Sequence, residues 1–225
     1  MTIDSEPFIL AVETALRQKM SVSVLRNSGK VSSWSGDDSR MTGSAVLLQA
    51  ISTLIEENCL LLGDLEIIAV SQGPGSFTGI RVGLATVKAL AFGLNRPYIC
   101  IPTLEALALT TARSERIFAV IPAGKNQVYW QFFSDLESED LIRQGKPNLD
   151  GFEDFIERLK FLLNTISSPS DELTIVADEM TAAEIKNSFG LAVDKIENLN
   201  IEIASDNVSE YIGLKVRKLF REGQI

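Results

Sequence analysis

The chain has 225 residues, of which 45% are hydrophobic and 23% charged, a composition typical of a globular protein with a sizeable core. Its formal net charge of −9 argues against nucleic-acid binding by this chain alone, because phosphate contacts are made by clustered lysine and arginine. The sequence contains no histidine, which excludes Ser-His-Asp and Cys-His catalysis and every histidine metal ligand.

The remaining composition indicates a cytoplasmic protein. Cys59 and Cys100 both lie in apolar stretches, which favours buried thiols in a reducing cytosol over a disulfide. The segment Met1–Pro7 carries Asp4 and Glu6 where a signal peptide would be basic, so none is expected. No stretch of about 18 uncharged apolar residues occurs, so we expect no membrane span.

The first part of the chain predicts a β-meander. Phe8–Glu13 is an apolar run too short for a helix, and it suits a buried strand. Met20–Arg26 and Lys30–Ser35 alternate between apolar and polar residues, and Asn27–Gly29 between them predicts a hairpin turn. Glu13 ends the first strand, where ligands often bind. Its carboxylate is interpreted either as a solvated strand end or as a functional group.

The next element is a helix predicted from about Arg40 to Asn58. Its apolar residues cover one side and most of the remainder, which is more than one sheet can bury. A helix buried on all sides is one explanation, and an exposed protein interface is the other. The residues predicted to line the interface are Met41, Ala45, Leu48 and Ile55.

The best-specified stretch is a strand, a glycine-rich loop and a helix in one unbroken run. Leu65–Gln72 predicts a buried strand, Gly73–Gly75 a sharp turn around a proline, and Arg96–Pro102 the strand after the helix. Strand, helix and strand at this spacing predict a βαβ unit with parallel strands. The loop before a helix N-terminus is also a natural anion site. The candidate anion or nucleotide residues are Gly73, Gly75, Ser76 and Thr78.

The helix after this loop has three faces when its residues are projected at about 100° each. One face is apolar, a second consists of small side chains, and Arg81 and Lys88 form a narrow polar stripe. Interior glycines cost about 0.8–1 kcal/mol each relative to alanine, so several in one helix indicate close approach of another backbone. The residues predicted to form this partner-binding face are Gly79, Val82, Gly83, Thr86, Leu90 and Gly93.

The second half of the chain predicts a further set of elements. A helix is expected over Thr103–Arg113, and a second lobe begins near Ser114 with a hairpin whose turn is Ala123–Asn126. The aromatic residues of that hairpin, 129–133, are interpreted as core packing rather than as a base-stacking surface. The later elements are predicted as a helix over Phe152–Ile166, a strand over Leu173–Ala177, and helices over Ala182–Phe189 and Ser209–Arg221.

The motif Gly73–Ala91, which reads GPGSFTGIRVGLATVKALA, resembles the TsaB (YeaZ) family. This family is the bacterial accessory subunit of the machinery that makes threonylcarbamoyladenosine in tRNA. The similarity extends less specifically from Phe8 to about Phe133, through Pro102–Ala108 and Gln127–Trp130.

The resemblance implies an α/β protein with the actin-like ATPase (ASKHA, ribonuclease H-like) fold and two lobes, the second reduced. It implies a first lobe over residues 1–102, completed by the C-terminal helix at 206–225, and a second lobe over 103–205. The family is not catalytic by itself. It pairs through its two first-lobe helices with a TsaD-like catalytic subunit.

The same resemblance sets expectations about ligands. ATP and a metal are used by the partner complex, and this chain is expected to bind no cofactor or metal of its own. Binding of tRNA is expected only through the complex, and no membrane contact is expected. Whether a TsaE-like ATPase joins the complex stays open, and the apolar helices also allow self-pairing into a homodimer when the partner is absent.

Three departures from the family pattern bear on nucleotide binding. The family's first strand typically ends in Asp-Thr-Ser, whereas this chain has Glu13–Ala15, and the histidine often found at the start of the first helix is missing. Ile121–Lys125 replaces the usual Ile-Asp-Ala-Arg, so a carboxylate and an arginine are absent. A stand-alone nucleotide-binding or ATP-hydrolysing enzyme remains the alternative. The peptidase activity once attached to this superfamily is disfavoured, since its metal site needs histidine.

Overall fold

A computed structural model describes residues 7–17, 19–26, 29–36, 43–111, 116–136, 140–165, 172–190 and 198–225. The chain divides into two compact units. Unit 1 comprises Met1–Ala106 and Asp206–Ile225, and unit 2 comprises Leu107–Ser205. The first-lobe boundary predicted from the sequence is residue 102.

Unit 1 is built on a five-stranded sheet in the order β3-β2-β1-β4-β5. The strands β1, β2 and β3 form the predicted antiparallel meander, and β4 and β5 run parallel to β1. This confirms the α/β class and the parallel βαβ unit, although the predicted turn residues 27–28 lie outside the described residues. The strands are β1 (Ile9–Glu13), β2 (Met20–Arg26), β3 (Gly29–Gly36), β4 (Ile67–Ser71) and β5 (Tyr98–Ile101).

Helices α1 (Gly43–Glu57) and α2 (Phe77–Leu94) cover one face of this sheet, and α6 (Val208–Arg221) covers the other. Alternate strand residues point to opposite faces. Val22 and Val24 of β2 lie in the core with α1 and α2, whereas the intervening Ser23 faces α6. Its Oγ lies 2.7 Å from Oγ of Ser209, and this buried serine pair helps to fix α6 to unit 1.

Unit 2 repeats the topology of unit 1 with a second five-stranded sheet, in the order β10-β9-β6-β7-β8. Again the first three strands are antiparallel and the last two run parallel to the first. The repeated topology is the duplicated unit that the resemblance implies. Its elements are β6 (Arg116–Gly124), β7 (Gln127–Leu136), β8 (Asp140–Gly151), α4 (Phe152–Thr165), β9 (Leu173–Ala177), α5 (Glu179–Phe189) and β10 (Leu199–Ile203).

Two predictions about element length and burial are corrected by the structure. Helix α3 (Thr103–Ala108) is shorter than predicted, because the hydroxyls of Thr110 and Thr111 donate to the carbonyls of residues 107 and 108 and compete with helical bonding. Cys59 is exposed rather than buried, since it lies in the turn after α1 with a φ of 54°. Cys100 is half-buried, and burial raises the pKa of its thiol.

Candidate functional site

The loop before α2 bends sharply and is held by contacts to its own unit. Gly73 has a φ of +103° and Gly75 a φ of +153°, conformations that favour glycine. A Cβ atom at position 75 would overlap the carbonyl oxygen of Ala15, so the loop lies directly against the chain that follows β1. Ser76 caps the helix by accepting a hydrogen bond from the amide of Gly79 at 3.2 Å.

Three of the amides around this loop already have acceptors. The Ser76 amide donates to the carbonyl of Ala15 at 2.7 Å, and the Gly73 amide donates to Oγ1 of Thr103 at 3.0 Å. The Gly79 amide is used by the cap, and the amides of Gly75, Phe77 and Thr78 remain as donors at the helix N-terminus. The contacts to Ala15 and Thr103 pack the loop and the start of the helix against unit 1.

Glu13 lies beside this loop and is fully buried, which rules out a solvated strand end. Its Oε1 accepts hydrogen bonds from the amides of Ala15 and of Leu16, the latter at 2.9 Å. Among the described residues, neither its Oε2 nor the buried Oγ of Ser71 on the neighbouring strand has a hydrogen-bond partner with normal geometry. The Ser71 hydroxyl can donate to a carboxylate at Oε2 or accept from a protonated carboxyl group.

Burial raises the pKa of Glu13 above its ordinary value of 4.5, while the Ser71 hydroxyl and the amides of Leu16 and Ala15 act in the opposite direction. A carboxyl group whose pKa is raised in the folded state stabilises the fold fully below the pKa of the unfolded state. This stability is lost as the pH rises through the folded-state pKa.

Replacing Glu13 by Gln is therefore expected to raise the free energy of unfolding at pH 8 and to leave it unchanged near pH 4. The amide keeps the acceptor for Leu16, supplies a donor toward Ser71 and cannot ionise. Urea unfolding of both proteins between pH 4 and pH 8 measures the difference. A difference that is constant with pH would contradict a raised pKa at this site.

Two residues of the predicted small-residue face of α2, Gly79 and Gly83, are used for packing within the chain. Cβ atoms at Gly79 and Gly83 would overlap the backbone and side chain of Thr14, whose hydroxyl donates to the carbonyl of Gly79 at 2.8 Å. Because these two positions have no side chain, α2 can pack directly against Thr14, which follows β1. Val82 and Leu90 are half-buried and pack against the core of unit 1. Thr86 is half-buried, and Gly93 is exposed with no atom near its Cβ position.

The residues predicted on α1 also divide between core and surface. Ile55 is only 5% exposed and belongs to the core of unit 1, so its assignment to an interface is wrong for this chain by itself. Leu48 is 51% exposed and Ala45 is half-buried, whereas Met41 lies outside the described residues. Ile51 and Ile55 lie one turn apart on the same side of α1, and both pack into the core of unit 1.

The most exposed apolar side chains of α2 are ones that the sequence reasoning did not select. Phe92 is 91% exposed and Phe77 is 73% exposed. They lie 15 residues apart, about 60° around the helix axis, on the side that carries Arg81 and Lys88. In the sequence, their position on the charged side of the helix could have indicated that both phenylalanines are exposed.

Helix α2 is thus an apolar helix with little internal cover. It is the one described helix long and apolar enough to cross a membrane by length and composition, yet only Gly83, Val87 and Ala91 are buried in it. These three residues face the sheet, so the helix cannot enter a bilayer without leaving its unit. Apolar surface of this extent is typical of a protein–protein contact. Within the described part of the chain, His, Cys, Asp and Glu form no cluster that could hold a metal.

Comparison with known proteins agrees with this architecture. The family model described as "TsaD: tRNA N6-adenosine threonylcarbamoyltransferase" matches residues 43–160, just over half of the chain. The chain is 32% identical over 130 residues to the tRNA threonylcarbamoyladenosine biosynthesis protein TsaB of Buchnera aphidicola (subsp. Baizongia pistaciae), covering 56% of this chain and 58% of that protein. It is 37% identical over 87 residues to the Haemophilus influenzae protein of the same name, covering 37% of each.

A solved structure named YeaZ from Pseudomonas aeruginosa superposes with a TM-score of 0.70 at 21% identity, covering 97% of this chain and 94% of that one. At this identity the likeness shows the fold. The two-sheet architecture is the actin-like ATPase fold expected from the sequence motif. The sequence similarity spans about half the length or less of the two relatives named above.

Proposed function

Because the chain belongs to the tRNA N6-adenosine threonylcarbamoyltransferase (TsaD) family and, within it, to the TsaB (YeaZ) group, we propose that it is a non-catalytic subunit. Its partner in this proposal is a TsaD-like catalytic subunit, and their joint product is threonylcarbamoyladenosine in tRNA. The observation that carries the proposal is the apolar surface of α1 and α2, with Leu48, Phe77 and Phe92 all more than half exposed. A partner helix pair would remove this surface from water.

The charge of the chain also supports a non-catalytic role beside a partner that binds the tRNA. With a net charge of −9, the chain lacks the cationic excess needed to hold tRNA, so the partner carries that contact. The partner also supplies the ATP and metal chemistry, in the cytoplasm where tRNA is modified. When the partner is absent, the same surface pairs two copies of this chain, and a TsaE-like ATPase joins only the assembled complex.

The proposal is tested by the modification itself. Cells depleted of this chain should lose threonylcarbamoyladenosine from bulk tRNA, measured by mass spectrometry of nucleosides. The wild-type chain should restore it, and Glu13→Gln should restore it as well, because Glu13 takes no catalytic part. Unchanged modification in depleted cells would overturn the proposal, whereas failure of Glu13→Gln at normal protein levels would indicate a catalytic role for this chain.

The alternative of a stand-alone nucleotide-binding enzyme rests on the glycine loop at the N-terminus of α2. Calorimetric titration of the purified chain with MgATP up to 1 mM is expected to give no saturable heat, because the Gly73 and Ser76 amides already have acceptors. The neighbouring buried Glu13 adds no positive charge for a phosphate. Micromolar binding accompanied by phosphate release would establish the alternative instead.

A further inference from the structure

Unit 2 contains a cavity of about 600 Å³ that opens between α4 and the strands β6, β7 and β8. Its floor is aromatic and is formed by Phe118, Trp130 and Phe132. The Phe118 ring centroid lies 5.5 Å from that of Trp130 and 4.9 Å from that of Phe132. The Trp130 indole is held in place by its Nε1, which donates to Oδ2 of Asp150 at 2.9 Å. Phe118 and Trp130 are buried in the core of unit 2, so the half-buried Phe132 is the floor residue open to a ligand.

Cationic and amide groups surround this floor. The guanidinium carbon of Arg158, on α4, lies 5.4 Å from the Trp130 ring centroid, and its Nε lies 3.5 Å from Oδ2 of Asp150. No described residue accepts a hydrogen bond from its two terminal amino groups. Arg116 also lines the cavity, as do the amides of Gln144 and Asn148. Arg158 is paired with Asp150 through Nε, so its terminal amino groups are the cationic donors available to an anionic ligand.

Size, shape and charge together select a class of ligand. A volume of this order is usual for small-molecule sites lined by aromatic side chains with a few polar groups. A planar ring stacks on Phe132, and the terminal amino groups of Arg158 match the two oxygens of a carboxylate or phosphate. We propose that this cavity binds a planar aromatic compound that carries one carboxylate or phosphate. The site belongs to unit 2, whereas the α1 and α2 surface on which the proposed function rests belongs to unit 1.

The test uses 8-anilinonaphthalene-1-sulfonate, an aromatic anion, and N-phenyl-1-naphthylamine, its uncharged analogue. Trp34 and Trp130 are the two tryptophans of the chain, so a Trp34→Phe background makes Trp130 the reporter. The anionic probe is expected to quench Trp130 emission saturably and to bind at least tenfold more tightly than the neutral probe. Equal affinities, or no quenching, would overturn the proposal.

Two variants on α4 test whether Arg158 provides the positive charge that binds the anionic probe. Arg158→Met removes the guanidinium, keeps most of the stem and should raise the Kd of the anionic probe about tenfold. Lys160→Met removes an exposed positive charge from the same helix outside the cavity lining and should leave the Kd unchanged within twofold. If both variants changed the Kd to a similar extent, the probe would be bound by the overall charge of the helix and not by Arg158, and the proposal would be wrong. Competition by 2-naphthoate or by 2-naphthyl phosphate identifies the preferred anion, and displacement by neither would refute the ligand class.

Discussion

A Gly79→Ala substitution is expected to lower the free energy of unfolding by about 3 kcal/mol, at the upper end of the usual overpacking range. The added methyl group would overlap the main-chain carbonyl of Thr14, which cannot rotate away as a side chain can. The hydrogen bond from the Thr14 hydroxyl to the carbonyl of residue 79 would be strained by the same displacement. Equilibrium unfolding in urea measures the change from the transition midpoint at constant slope.

Gly93→Ala is the matched control on the same helix. No atom lies within 4 Å of its Cβ position, so the substitution should raise stability by up to about 1 kcal/mol through helix propensity alone. The two variants should therefore change the urea midpoint in opposite directions. Equal effects would show that α2 is not packed on the end of β1 as described.

A Phe92→Glu substitution is expected to weaken binding to the proposed TsaD-like partner by at least about 30-fold, which corresponds to about 2 kcal/mol. The side chain is 91% exposed in this chain, so the fold does not depend on its burial. For the same reason the free energy of unfolding should stay within about 0.5 kcal/mol of the wild type. Calorimetric titration of the partner into each protein gives the affinity.

Phe161→Glu supplies the control for this experiment. Phe161 is a phenylalanine on α4 of unit 2, and it is 68% exposed. The substitution introduces the same charge on another exposed helix and should leave affinity for the partner within threefold of the wild type. Wild-type affinity of the Phe92→Glu variant would place the partner surface elsewhere on the chain.

The strands that could be predicted are those with a pattern of their own. The runs of β1, β4 and β9 are short and continuously apolar, which indicates buried strands, and the structure confirms all three. Strand β8 was not predicted, because its sequence DLIRQGKPNLDG is mostly polar and contains a proline. It lies at the edge of its sheet, where pairing with β7 on one side is enough and proline is tolerated.

Glu13 shows why the site was harder to predict than the strands. The sequence places it at the end of β1 but does not tell whether water or protein surrounds its carboxyl group. The fold puts Ser71 of the parallel neighbour beside it and brings the chain at Ala15 under the loop before α2. Its raised pKa follows from this enclosure, which involves residues more than 50 positions apart.

The sequence alone determined that a glycine-rich loop begins an apolar helix in a parallel βαβ unit, because glycine, proline and apolar spacing act over a few neighbouring residues. It also determined the family, through the continuous motif Gly73–Ala91. Only the tertiary structure decided which side of α2 is free for a partner. A helical projection shows which residues share a face, but Thr14 at the end of β1 occupies the glycine face and leaves Phe77 and Phe92 exposed.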